Sequence, residues 1–200
     1  MRVIDVQSDP RRSQYEYFRS FANPYASITV SCDITPLKEK KPFFLSVLYC
    51  AVNAANAVPE LRRRILGEQV VEYENCISSH TVALPDETYC YCELDCAKPF
   101  DEFLPYALAE VEKAKSAPSM DDAEPERLFF VTSVPWLSFH AVSLPVPNPA
   151  DSNPRITFGK AYEQDGKYLL PVSLTVHHAL ADGIHMAKFF HNFEENCRTL

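Results

Sequence analysis

Glycine is scarce in this chain, with four residues in 200 against sixteen prolines. That ratio predicts many short elements joined by stiff connections. No run of about 18 consecutive apolar residues occurs, so a membrane-spanning helix is not expected. The opening Met1-Arg2-Val3-Ile4-Asp5 has no apolar stretch of the signal-peptide kind, and a cytoplasmic location is the expectation. Positive charge is also short. Nineteen Lys and Arg face 27 Asp and Glu, a net charge of -8, which leaves no electrostatic footprint for nucleic acid. The dense basic runs, Lys38-Glu39-Lys40-Lys41 and Arg62-Arg63-Arg64, read as helix-surface charge. Seven cysteines without regular spacing suit a reducing compartment better than a disulfide framework. Cys90 and Cys92 would share one strand face as small packing residues.

What is present is a core. At 46% apolar content, 200 residues suffice for one domain spanning residues 1–200, and no repeat or composition shift suggests a second. Helices are expected at Arg11 to Ser20, Phe43 to Val58, Phe100 to Lys115 and Gly183 to Asn196, from apolar positions at helical spacing. A further short helix is expected after the Pro59-Glu60-Leu61-Arg62 turn. Strands are expected at Ala26 to Ile34, Gln69 to Tyr73, Ser79 to Leu84, Tyr89 to Leu94, Leu128 to Ser133, Leu137 to Leu144, Arg155 to Ala161 and Tyr168 to Val176, with an exposed loop from Ser116 to Glu126. The order implies an α+β fold, a two-layer sandwich of mixed sheet with packed helices.

The stretch with most chemical content is His177-His178-Ala179-Leu180-Ala181-Asp182-Gly183. It follows a β-branched apolar run and precedes the last helix, a context that presents an imidazole on a preformed loop. His178 is therefore the candidate general base. Asp182 is expected to cap the helix or to pair with a cation, holding that loop. A metal site is the rival reading, since His177, His178, Asp182, His185 and His191 are all ligand types. Adjacent histidines in extended backbone point to opposite faces, however, so no metal is expected. A serine hydrolase is disfavoured because no Gly-x-Ser-x-Gly elbow occurs.

The stretch Val176 to His185 resembles the active-site motif of the chloramphenicol acetyltransferase family. Pro135-Trp136-Leu137-Ser138-Phe139, Ile156-Thr157-Phe158-Gly159-Lys160, Leu170-Pro171-Val172, Pro59-Glu60-Leu61-Arg62 and the segment from Asp5 to Arg11-Arg12 extend the resemblance over nearly the whole chain. The histidine motif alone is shared with peptide-synthetase condensation domains and, in a related form, with dehydrogenase-complex acyltransferase cores. Their larger chains or domain contexts favour the first family.

The resemblance implies a CoA-dependent acyltransferase fold. It also implies a homotrimer with sites at subunit interfaces, where acetyl-CoA and a small-molecule alcohol, chloramphenicol in this family, meet. It makes His178 the base and Asp182 the partner of Arg11 in a buried pair. Tyr17 and Phe18 would line the acceptor pocket, and Thr157 would help to bind a water at the transition state. Ser138 and Lys160 would contact CoA, for whose phosphates a few of the basic residues would also suffice. Neither a metal nor a membrane is implied.

Four positions depart from the family pattern. Ala141 stands where a serine donates to the oxyanion, a loss that costs about 10²–10³ in kcat unless Ser138, Ser143 or a water substitutes. Thr175 stands where glutamine is usual, Ile184 where an aromatic is usual, and Ala161 where a tyrosine helps to hold the CoA adenine. The altered pocket leaves open an acyltransferase for another hydroxyl or thiol, or a catalytically weak trimer that binds CoA or a small molecule.

Overall fold

A computed structural model describes residues 1–200. Six strands form one continuous sheet in the order β2 (Tyr25–Asp33), β10 (Lys167–His177), β8 (Arg155–Phe158), β7 (Leu128–Ser133), β5 (Ile77–Ala83) and β6 (Tyr89–Leu94), and β9 (Tyr162–Gln164) pairs with the start of β10. The β5–β7 and β7–β8 pairs are parallel and the others antiparallel, so the sheet is mixed. A second sheet, β1 (Arg2–Ile4), β4 (Gln69–Glu72) and β3 (Arg63–Leu66), stands apart. Helices α2 (Phe43–Asn56) and α4 (Gly183–Thr199) pack on each other, α3 (Phe100–Ser116) lies against β6, and α1 (Arg12–Phe18) is short.

Strand alternation separates two chemistries. On the helix side, Cys32, Val172, Leu174, Ile156, Val131 and Cys92 join the main core with Leu48, Ala51, Phe189 and Phe193. On the other side, register aligns Thr29, Ser173, Thr157 and Thr132. The hydroxyl of Thr132 lies 3.2 Å from that of Thr81, and Tyr91 pairs with Thr81. A row of hydroxyls thus crosses six strands.

Three sequence expectations fail here. Leu137 to Leu144 is not a strand but irregular chain. Its alternation is real, yet prolines 135, 145, 147 and 149 bound it closely and no neighbouring strand accepts it. The residues after the short 3-10 turn Pro59–Arg62 form strand β3 rather than a helix, because Arg63 to Leu66 pair in register with Gln69 to Glu72 across Gly67. At a φ of +60°, Gly67 supplies the left-handed residue this tight hairpin needs. The arginine run is accordingly not helix-surface charge. Arg64 is fully buried and donates to the carbonyls of Leu61, Arg63, Glu126 and Leu128, while Arg63 pairs with Asp9 and Glu72.

Candidate active site

Strand β10 ends at His177, and the chain then turns through Ala179 to Ala181 before Asp182 opens α4. The turn is closed by Leu180 and Ala181 amides donating to the His177 carbonyl, and the His178 amide donates across to Pro24, 2.7 Å away. Ala179, Leu180 and Ala181 are buried, so the turn packs as well as bonds.

The His178 ring meets two constraints. Its Nδ1 lies 3.0 Å from the Ala181 carbonyl oxygen. A carbonyl only accepts, so in the neutral ring Nδ1 carries the proton and Nε2 the free lone pair. The second constraint is Phe18, whose ring stacks on the imidazole at 3.9 Å between centroids and 27° between planes. Tyr17 and Phe21 pack edge-on against Phe18. Tyr17 is itself 62% exposed, so the two aromatics predicted together divide, Phe18 on the histidine and Tyr17 outward.

The carboxylate and amide of Asp182 make three contacts. One carboxylate oxygen accepts from the Gly183 amide at 2.6 Å, and the other from Arg11 at 3.2 Å. Its own amide donates to Nδ1 of His185 at 2.9 Å, completing a reciprocal cap in which a histidine takes the place usually held by Glu or Gln. The amide hydrogen bond from Gly183, with Arg11 behind it, holds the Asp182 carboxyl below the usual carboxylate range. Arg11 also donates to the His178 carbonyl at 3.1 Å, so one guanidinium ties the histidine backbone to the helix cap. The pair is not buried as expected. The Arg11 side chain is 16% exposed and that of Asp182 44%, because the carboxylate sits at the helix mouth rather than beneath it.

The neighbouring His177 points the other way. It is buried, accepts from the Ala179 amide at 3.3 Å, and packs edge-on against Tyr25. Burial pushes its imidazole down to about 4, so it stays neutral.

Thr157 is buried in β8, paired with Ser173. Ser173 precedes His177 by four residues, about 13 Å along the strand, so Thr157 and His178 of one chain stand well apart. The hydroxyl-rich face opens instead into a cavity of about 390 Å³ lined by Ser79, Thr81, Tyr91, Asp122, Thr132 and Arg155, among others.

Ser138 and Lys160 are brought together: the Lys160 amide donates to the Leu137 carbonyl at 2.7 Å, and both residues are exposed. Gly159 makes this approach possible. A Cβ there would meet the Phe139 ring at 2.9 Å and the Leu137 carbonyl at 3.2 Å. Ala141 lies beyond on exposed chain. No group of three or more His, Cys, Asp or Glu is arranged to hold a metal ion, and no helix is long and apolar enough to cross a membrane.

The sequence offered His185 only as a rival metal ligand and Glu60 only within the Pro59-Glu60-Leu61-Arg62 motif, not as groups facing one another beside the His178 turn. The signal for His185 was the Asp182-x-x-His185 spacing of a reciprocal cap. Nothing local in the sequence shows that Glu60 faces that histidine.

The family model for chloramphenicol acetyltransferase matches residues 1–194. The chain is 30% identical to chloramphenicol acetyltransferase 3 of Escherichia coli, covering 98% of this chain and 96% of that protein. It is 31% identical to a chloramphenicol acetyltransferase of Clostridium perfringens, covering 96% of each. A solved chloramphenicol acetyltransferase superposes with a TM-score of 0.85 at 25% identity, covering 98% of this chain and 99% of that one.

Proposed function

Because this chain belongs to the chloramphenicol acetyltransferase family and is an acyltransferase, we propose that it moves the acetyl group of acetyl-CoA onto a hydroxyl of chloramphenicol with His178 as base. The observation that carries this reading is the contact of His178 Nδ1 with the Ala181 carbonyl oxygen, from which one tautomer of the neutral ring follows. With Nδ1 engaged at 3.0 Å by the Ala181 carbonyl, Nε2 is the free, unprotonated nitrogen. It takes the acceptor proton as the hydroxyl oxygen attacks the thioester carbon, and the imidazolium returns that proton to the departing CoA sulfur as the C–S bond breaks. Stacking on Phe18 fixes the ring plane, and Arg11 with Asp182 fixes the loop beneath it.

The acceptor site is assembled between subunits of a homotrimer. Supporting this is the separation of His178 from Thr157 within one chain and the open cavity on the hydroxyl-rich face. Ser138 and Lys160 contact CoA. Exposed and adjacent, they fit a nucleotide-bearing tail that lies along the surface. Seven buried free thiols are compatible with a cytoplasmic setting. The decisive measurement is release of free thiol from acetyl-CoA in the presence of chloramphenicol. Robust release, lost in His178→Ala, is expected, and absence of acceptor-dependent release would overturn the reading. One observation favours a second reading: Ala141 offers no hydroxyl at the oxyanion position. A protein that binds CoA without turnover, unimproved by Ala141→Ser, would be a binding module. Turnover of a different hydroxyl or thiol in a panel would instead reassign the acceptor.

A further inference from the structure

One peptide unit lies between two imidazoles. The carbonyl of Ala181 accepts from Nδ1–H of His178 at 3.0 Å, and the amide of the same unit, Asp182 N–H, donates to Nδ1 of His185 at 2.9 Å. The far nitrogen of His185, Nε2, lies 3.7 Å from a carboxylate oxygen of Glu60. The other Glu60 oxygen is buried and has no hydrogen-bond partner. The geometry points to a relay in which Glu60 and His185 act on His178 through the Ala181–Asp182 amide, as positioning residues for the acyl transfer proposed above. It rests on the reading that His178 is the base.

The direction of the effect follows from the donors and acceptors. His185 accepts the Asp182 amide proton at Nδ1, so its neutral ring carries hydrogen at Nε2, facing Glu60. Burial holds His185 below its ordinary value even though Glu60 acts in the opposite sense, which keeps Nδ1 free to accept. The other charges facing this ring are Arg11 from the start of α1, Lys188 on its own helix and Asp182 at the cap. The negative charge of Glu60 polarises the His185 ring and makes Nδ1 a stronger acceptor. A stronger acceptor draws on the amide N–H and leaves the Ala181 carbonyl richer in electrons, as coupled hydrogen bonds do. That carbonyl then holds the Nδ1–H tautomer of His178 and stabilises its imidazolium when Nε2 takes the proton. The relay transfers no proton. It performs the work that a directly bonded carboxylate does in other histidine-based sites, since the acid of the motif itself, Asp182, faces Arg11 and the helix amides instead.

A structural cap would lower stability alone, whereas a relay also alters the base. Glu60→Gln keeps the size and removes the charge. It is expected to lower kcat about tenfold with little change in KM for either substrate, and to move the acidic limb of the rate–pH profile to lower pH, because the imidazolium loses stabilisation. Glu60→Asp should recover part of the loss. His185→Asn keeps an acceptor for the Asp182 amide but no ring to polarise, and should resemble Glu60→Gln. Long-range ¹H–¹⁵N NMR of the full-length protein reads which nitrogen of His178 carries the proton, independently of turnover. The Nδ1–H form should dominate in the native protein and decline in both variants. Unchanged tautomers and superimposable pH profiles in Glu60→Gln and His185→Asn, with only a lower melting temperature, would overturn the relay. Native protein that transfers no acetyl group would overturn the base assignment, while the NMR comparison would still decide the relay.

Discussion

Within the turn from His177 to Gly183, backbone and side chains close on one another, whereas from Ser138 to Ala150 no backbone group bonds another backbone group. The turn has buried alanines and leucine, a reciprocal helix cap, a guanidinium bridging carbonyl and carboxylate, and a stacked ring over its histidine. The second segment lies against the protein through Phe139 near Gly159 and Pro171, and most of its residues are exposed. The position of His178, the proposed base, is therefore set by the chain that carries it, while the stretch holding Ala141 takes little of its shape from its own hydrogen bonds. Preorganisation of a reacting group requires rigid support, and only one of the two regions has it here.

The sharpest way to break this contrast is to remove the group that the tight turn presents. His178→Ala should lower kcat about 10³-fold, within the range for loss of a general base, while acetyl-CoA binding measured by calorimetry stays within a factor of a few. Retention of a substantial rate would mean that another group takes the proton. The converse experiment adds a group to the loose segment. If transfer is limited by the missing oxyanion donor, Ala141→Ser should raise kcat by about tenfold or more. No gain in steady-state rate would show that the 138–150 chain does not place residue 141 at the oxyanion.

These two regions also differ in how far the sequence announced them. The turn was legible because its determinants are local: a β-branched strand followed by two histidines, a capping acid and a glycine within seven residues. The cap by His185 follows the same local spacing. The segment from Leu137 to Leu144 misled, since alternation reports which side of a chain is apolar and not whether a partner strand exists. Strand β3 and the burial of Arg64 were hidden for different reasons. The β3–β4 hairpin turns locally at Gly67, a signal that the basic run of Arg62 to Arg64 masked, whereas the Glu126 and Leu128 carbonyls that bury Arg64 come from far along the chain. Likewise the exposure of Asp182 depends on how the helix mouth opens, which composition does not record.

A smaller effect should follow from loosening the turn without touching His178. Asp182→Ala removes the helix cap and the Arg11 pair together. It should destabilise the fold by about 1 kcal/mol, the usual value of a cap, and lower kcat severalfold, as read by denaturant unfolding and initial rates. Normal stability and rate would mean that the His177 and Pro24 bonds hold the turn alone. The matching test of the other region is Gly159→Ala. Its Cβ would lie 2.9 Å from Phe139, so that ring must shift. We expect KM for acetyl-CoA to rise a few-fold with kcat nearly unchanged, and an unaltered KM would dissociate Ser138 and Lys160 from the cofactor.

The mildest probe is pH, and it reads the buried histidines on either side of the sheet. Burial pushes both His177 and His80 down to about 4, and His80 has a buried Nδ1 without a partner. In the unfolded chain a histidine titrates near 6.5, so between about pH 6.5 and 4 the unfolded state binds more protons than the native one. Stability is then fully present above pH 6.5 and declines as pH falls toward 4. The melting temperature should drop by several degrees from pH 7 to pH 5, and the drop should shrink in His177→Asn and in His80→Asn. The two variants separate the regions. If His177 is locked into the turn as its bond to the Ala179 amide implies, losing it should flatten the pH slope and also lower kcat, whereas losing His80, packed beside Phe44 in the core, should flatten the slope alone. Equal effects of both variants on the rate would show that the turn is no more sensitive to buried support than the core beneath the sheet.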